Sequence, residues 1–93
     1  MFQSLEELIA IIRDRKNSKN EGSYTNQLLN NKEMNVAKVN EEVKELIEAI
    51  EKNNNKTHEA ADVLYHLLVL LEGNDIKIED VMKELKIRQN EIR

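Results

Sequence analysis

Apolar residues recur along this chain at helical spacing, in runs separated by short polar segments. Leu5, Leu8, Ile9 and Ile12 form the first stripe. Ser4-x-x-Glu7 reads as a capping box opening that helix, and Arg13-Asp14-Arg15-Lys16 closes it with the basic residues that suit a helix C-terminus. Residues 17–21 are polar and irregular. Gly22 predicts a turn, with Thr25 capping a short helix through Leu28 and Leu29. A long helix from about Met34 to Lys52 carries Val36, Val39, Val43, Leu46, Ile47 and Ile50 within an arc of roughly 100°. Asn53-Asn54-Asn55 is too short to join anything but an antiparallel helical hairpin. Thr57 is expected to cap the next helix, which runs to about Leu71 and ends in the left-handed manner at Gly73-Asn74-Asp75. A last helix starts near Ile78, with Ile78, Val81, Met82 and Leu85 as its packing face. The polar end from Lys86 to Arg93 is expected to fray.

The helix after the asparagines changes the picture, because it is apolar nearly all round and so must be central. Its polar interruptions are Glu59, Asp62, Tyr65 and His66. Glu59, Asp62 and His66 fall at i, i+3 and i+7 and share one stripe. On the preceding helix, Glu41, Glu42 and Glu45 lie opposite the apolar arc, beside Lys38. Taken alone they would be a solvated face. Acids on a buried helix are costly unless paired or bound to a metal, and the neighbours of Glu59 and Asp62 across the hairpin are Glu42 and Glu45, also acidic. Lys38 can neutralise only one of them. A hard divalent cation, which prefers oxygen ligands, resolves the repulsion. His66 reads as a hydrogen-bonded core histidine and Tyr65 as a core ring with its hydroxyl satisfied. Arg88 reads as a solvated charge. Gly22-Ser23-Tyr24-Thr25 admits two readings. One is the turn and cap. The other is an anion-binding loop, in which Gly22 lets the backbone approach while three hydroxyls and a helix N-terminus donate to phosphate.

Composition narrows the class. The 93 residues, read as one domain spanning 1–93, contain no proline, no cysteine and only two glycines, so the expected fold is all-α with four to five helices around the hairpin. A chain this short buries a modest share of its surface and has no disulfide to add. The helical bundle is therefore expected to be completed by homodimerisation. A net charge of −4 gives no basic field to draw nucleic acid. The N-terminus does not read as a signal peptide, and the longest apolar run, Leu67 to Leu71, is far too short to span a bilayer. No membrane partner is expected, and the expected location is the cytoplasm.

The Glu-Glu-x-x-Glu and Glu-x-x-Asp arrangement resembles the all-α MazG-like nucleoside triphosphate pyrophosphohydrolases. Three segments narrow the resemblance to the phosphoribosyl-ATP pyrophosphohydrolase family of histidine biosynthesis: Glu21 to Thr25, Lys38 to Glu42, and Glu59 to Leu71. The likeness runs from Leu5 to Arg88. It implies Mg²⁺ held by Glu42, Glu45, Glu59 and Asp62, and Glu41 or Glu45 as the catalytic group that positions or deprotonates water. It also implies phosphate contacts from Arg15, Lys16 and Lys38, and a substrate-binding loop at Gly22, Ser23, Tyr24 and Thr25. The implied reaction is hydrolysis of phosphoribosyl-ATP to phosphoribosyl-AMP and pyrophosphate. Asn40 departs from the family's glycine before the paired glutamates, and no residues here supply the cyclohydrolase domain to which the family is sometimes fused. The alternatives are a house-cleaning (d)NTP pyrophosphohydrolase and, outside enzymes, a helical dimerisation module with solvated glutamates.

Overall fold

The computed structural model describes residues 1–18 and 22–91, and among these every regular element is helical. The helices are α1 (Gln3–Lys16), α2 (Tyr24–Leu29), α3 (Lys32–Lys52), α4 (Lys56–Gly73) and α5 (Ile78–Ile87), followed by a 3₁₀ turn, Arg88–Glu91. No helix among the described residues is long and apolar enough to cross a membrane. Glu21, one residue of the motif segments, lies outside the described residues.

The α3–α4 hairpin forms the most extensive packing in the molecule. Its connection turns on Asn53 and Asn55, at φ 53° and 54°, the left-handed region that asparagine tolerates better than most residues. Asn53 and Asn54 return their N–H groups to the carbonyls of Ile50 and Ala49. Across the hairpin, α1, α2 and α4 enclose a small core of Ile9, Ile12, Leu28, Leu68 and Val69, flanked by Leu5, Leu8, Leu29, Met34, Tyr65 and Ile78. The first apolar stripe therefore packs as its spacing predicts.

The helix starts differ from the expected caps. No side chain caps α1, which begins at Gln3, so Ser4 is already helical and cannot take the extended cap conformation. Ser23, extended at ψ 128°, caps α2 by accepting from the Asn26 N–H at 3.3 Å, and Thr25 is free to turn elsewhere. Asn31 caps α3 by accepting from Met34 N–H at 3.0 Å, which starts that helix before Met34. The N-cap of α4 is the left-handed Asn55, which leaves Thr57 inside the first turn. Gly73 is helical, and the left-handed residue beyond it is Asp75, at φ 59°. Glycine at 73 is not demanded by packing either: an added Cβ would sit 3.4 Å from Leu29 Cδ2, about van der Waals contact with α2.

Two apolar faces remain open. On α3 the buried positions are Asn35, Glu42 and Ala49, seven residues apart, while Val36, Val43, Ile47 and Ile50 are 38–57% exposed. On α5 no residue is buried, and Met82 and Leu85 of its expected packing face stay about half exposed.

Electrostatics fasten α5 and the end of α4 to α1. Arg13 donates to both oxygens of Glu72, at 2.6 and 3.3 Å, and to both oxygens of Glu79, at 3.0 and 2.5 Å. Glu72 is only 5% exposed, so this pairing satisfies a buried charge. Its loss in Arg13→Ala is expected to cost about 2 kcal/mol, or roughly 10 °C in melting temperature by circular dichroism. The Arg13 hydrogen bonds also pull Glu79 down from 4.5 to about 2. Stabilisation from Glu79 is therefore full above pH 4.5 and fades as the pH falls towards 2, a loss that Arg13→Ala should flatten in acid melts.

Candidate metal centre

The hairpin register sets the acidic residues. Glu42 and Glu45 lie on the side of α3 that meets α4, and Glu59 and Asp62 lie in the first two turns of α4. Glu42 is 8% exposed. Burial first, then the adjoining Glu45 carboxylate, pushes Glu42 up from the ordinary carboxylate range, with Asp62 adding to the effect and His66 opposing it. Glu59 is pushed up by the same two leading causes, burial and Glu45. Glu45 thus bridges the two helices, between one acid on α3 and one on α4. Oxygens of Glu41, Glu42 and Glu45 converge within 4.8 Å of one another, as do ligand atoms of His58, Glu59 and Asp62.

Two atoms test whether a cation suits this place. Among the described residues, Glu42 Oε2 and Glu59 Oε2 are both buried without a hydrogen-bond partner. A carboxylate oxygen hidden from water with no donor is costly, and so many carboxylates together repel. The four carboxylates expected as ligands offer only oxygen, the donor set of a hard divalent ion. The residues fit that group. A cleft of about 200 Å³ opens beside them, lined by Glu45, Glu48, Asn54, Asn55 and Glu59 among others. The larger hollow, about 710 Å³, lies between α1 and α5 among Phe2, Leu5, Ile9, Ile78 and Met82, and lacks any convergent set of acids.

The other expected site residues separate into two groups. Lys38 stays near the cluster, 3.5 Å from the exposed Glu41, whose charge leads in raising the lysine. Tyr24 lies close enough to Lys38 for each to influence the other's ionisation. Burial is the main cause that pushes the Tyr24 hydroxyl up, with Lys38 opposing. Lys16 is committed elsewhere. Its ammonium donates to the Glu72 carbonyl at 2.7 Å and to Asp75 at 2.6 Å. Ten residues of helix separate Glu72 from Asp62, about 15 Å at 1.5 Å per residue. Arg15 meets Asp14 at 3.2 Å on its own helix.

The loop hydroxyls are occupied as well. Ser23 caps α2, Tyr24 meets His66, and Thr25 meets Tyr65. Gly22 is exposed and does not adopt a positive φ. Asn40, the departure from the family pattern, is exposed on α3. His58, missed from the pattern, brings Nε2 to 3.4 Å from Asp62 Oδ2, and its i, i+4 spacing from Asp62 was the available signal.

The raised groups carry a pH signature. Because Glu42 and Glu59 are raised in the folded state, their contribution favours folding below about pH 4.5 and is lost as the pH rises through their folded values. Without divalent metal, Glu42→Gln is therefore expected to melt higher than the parent at pH 7, by roughly 5 °C, and to lose most of that advantage at pH 4.5. Paired melts in EDTA at the two pH values check this.

Comparison with known proteins agrees with the residues. Residues 5–89 match the family model described as phosphoribosyl-ATP pyrophosphohydrolase. A phosphoribosyl-ATP pyrophosphatase of Clostridium acetobutylicum is 44% identical over 91 residues, 95% of this chain and 83% of that one. Another, of Roseobacter denitrificans, is 46% identical over 90 residues, covering 94% and 86% of the two chains. A histidine biosynthesis bifunctional protein of Pyrococcus furiosus is 46% identical over 86 residues, 91% of this chain but 41% of its own length. No solved structure matches. With residues 5–89 of its 93 matched by the model and curated relatives above 40% identity along nearly its whole length, the chain belongs to the phosphoribosyl-ATP pyrophosphohydrolase family of hydrolases.

Proposed function

We propose that this protein hydrolyses the α–β phosphoanhydride of phosphoribosyl-ATP, releasing phosphoribosyl-AMP and pyrophosphate, with Mg²⁺ held by Glu42, Glu45, Glu59 and Asp62. The observation that carries the metal reading is the pair of buried oxygens on Glu42 and Glu59 that find no hydrogen-bond partner among the described residues, both carboxylates lying beside Glu45. The curated names of the relatives supply the substrate.

When bound, Mg²⁺ supplies neutralisation of phosphate charge and polarisation of the phosphoanhydride. The chain's own groups do the rest. Glu41 is exposed at the mouth of the cluster, and Glu45 is partly exposed between the two helices. Either can accept a proton from the attacking water. Lys38, whose one ion pair among the described residues is with Glu41 at 3.5 Å, is placed to hold a phosphate oxygen. From the Gly22–Thr25 segment the Tyr24 and Thr25 hydroxyls are paired with His66 and Tyr65, while Ser23, which only accepts from the Asn26 N–H, keeps its hydroxyl hydrogen as a donor beside the first-turn backbone N–H groups of α2. Arg15, whose guanidinium meets the neighbouring Asp14 at 3.2 Å, has further N–H groups for a second phosphate contact. Lys16 would have to leave Glu72 and Asp75 to take part.

The same reading includes a homodimer. The exposed stripe of Val43, Ile47 and Ile50 on α3, and Leu64 on α4, supports it, since such residues seldom face water together without a partner.

Pyrophosphate release from phosphoribosyl-ATP in millimolar Mg²⁺ tests the reaction. Glu42→Gln and Glu59→Gln are expected to lose at least about a hundredfold in kcat while remaining folded. Glu51→Gln, exposed near the end of α3, should match the parent. Release from ordinary dNTPs but not from phosphoribosyl-ATP would replace this reading with a house-cleaning activity. Mg²⁺ should also raise the melting temperature over EDTA, by about 2.7 kcal/mol of stabilisation at a hundred times its Kd, and an unchanged melt would remove the metal centre.

A further inference from the structure

The middle of α4 carries contacts that the carboxylate chemistry does not use. Tyr65 and His66, adjacent on α4, meet Thr25 and Tyr24, adjacent on α2, in reversed order. The Thr25 and Tyr65 hydroxyls are 2.5 Å apart, and the Tyr24 hydroxyl lies 2.9 Å from His66 Nε2. The rings interlock. Tyr24 and Tyr65 stack at 6.4 Å, and His66 stands edge-on to both, at 5.9 and 4.9 Å. His66 is 6% exposed.

The direction of these bonds follows from one atom. His66 Nδ1 lies 2.8 Å from the Asp62 carbonyl oxygen, which can only accept. Nδ1 therefore carries the proton, and in the neutral ring Nε2 is the acceptor and Tyr24 the donor. A single imidazole thus links the α4 turn that bears the Asp62 carboxylate to the first turn of α2. Lys38 stands near the same tyrosine.

We propose that His66, with Tyr65 beside it, is a positioning residue for the substrate: through Asp62 and Tyr24 it holds the backbone of Ser23–Thr25 in register with the carboxylate cluster. This rests on reading that cluster as a phosphoanhydride hydrolase centre. Because Tyr24 donates its hydroxyl hydrogen to His66, that hydroxyl serves placement, while Ser23, which only accepts from the Asn26 N–H in capping α2, keeps its own hydroxyl hydrogen for the substrate. Breaking the clasp leaves only a fraction of molecules with α2 in register, and apparent affinity falls by that fraction. The step after binding is untouched, so the loss appears in KM and not in kcat.

Steady-state kinetics on phosphoribosyl-ATP with Mg²⁺ test this. His66→Leu, which lacks both ring nitrogens, is expected to raise KM about tenfold with kcat within about threefold. His66→Gln, whose amide oxygen can accept from Tyr24, should recover most of that KM. Tyr65→Phe, which removes the Thr25 partner, should raise KM about threefold, and it carries the test if His66→Leu fails to fold. Glu79→Gln, which loosens α5 away from the cluster, is the stability control and should keep the parent KM. A parent KM in both His66→Leu and Tyr65→Phe overturns the proposal. So does a fall in kcat at unchanged KM, which would put these residues in the chemical step, and so does a KM rise in Glu79→Gln as large as in His66→Leu. A wild-type protein that releases no pyrophosphate overturns the hydrolase reading, and this proposal with it. An active wild type with insensitive variants overturns this proposal alone.

Discussion

Burial of the Glu42 carboxylate between α3 and α4 is the constraint to which the rest of the molecule answers. The most extensive helix contact in the chain would ordinarily be apolar. Yet the buried residues of α3 are Asn35, Glu42 and Ala49, and an oxygen of each of the first two is buried with no hydrogen-bond partner among the described residues. Turning that face inward turns Val36, Val43, Ile47 and Ile50 outward. One rotation of α3 about its own axis thus produces both the acidic cluster and the open apolar stripe. A helix has one circumference, and an acidic face directed at a neighbour removes that face from apolar packing.

What offsets this cost sits at the opposite end of α4. Arg13 pairs with the buried Glu72 and reaches on to Glu79, and Lys16 ties the helix end and Asp75 to α1. The small core of Ile9, Ile12, Leu28, Leu68 and Val69 lies between these two electrostatic regions. Helix α4 therefore has three parts. Its first turns bring like charges together, its middle clasps α2, and its last turn satisfies a buried acid with a guanidinium. The like charges call for a cation, and the last turn supplies its own.

Much of this was legible in local spacing. The helices, the α1 stripe and the asparagine hairpin depend on residues within a few positions of each other. The proximity of the acids was legible for a different reason: Glu59 and Asp62 interrupt a largely apolar helix, so the acids across a three-residue turn were their expected neighbours, although α4 is not buried all round and Leu64 and Leu67 stay exposed. The expected caps at Ser4, Thr25 and Thr57 failed because a cap needs a backbone conformation, and each of these residues was already inside a helical turn.

The composition and periodicity of the chain dictated an all-α molecule with four carboxylates gathered on a hairpin, because helical geometry is short-range. Only the packed structure decided that Lys16 serves Glu72 and Asp75, that the Tyr24 and Thr25 hydroxyls meet His66 and Tyr65, and that the apolar side of α3 faces outward. Those outcomes join residues some 40 to 60 positions apart, or depend on how one helix is rotated against another. A lysine at a helix end carries the same charge whether it meets a phosphate or a carboxylate. Which it meets is set by the distance that folding puts between them, and the order of residues along a single helix does not contain that distance.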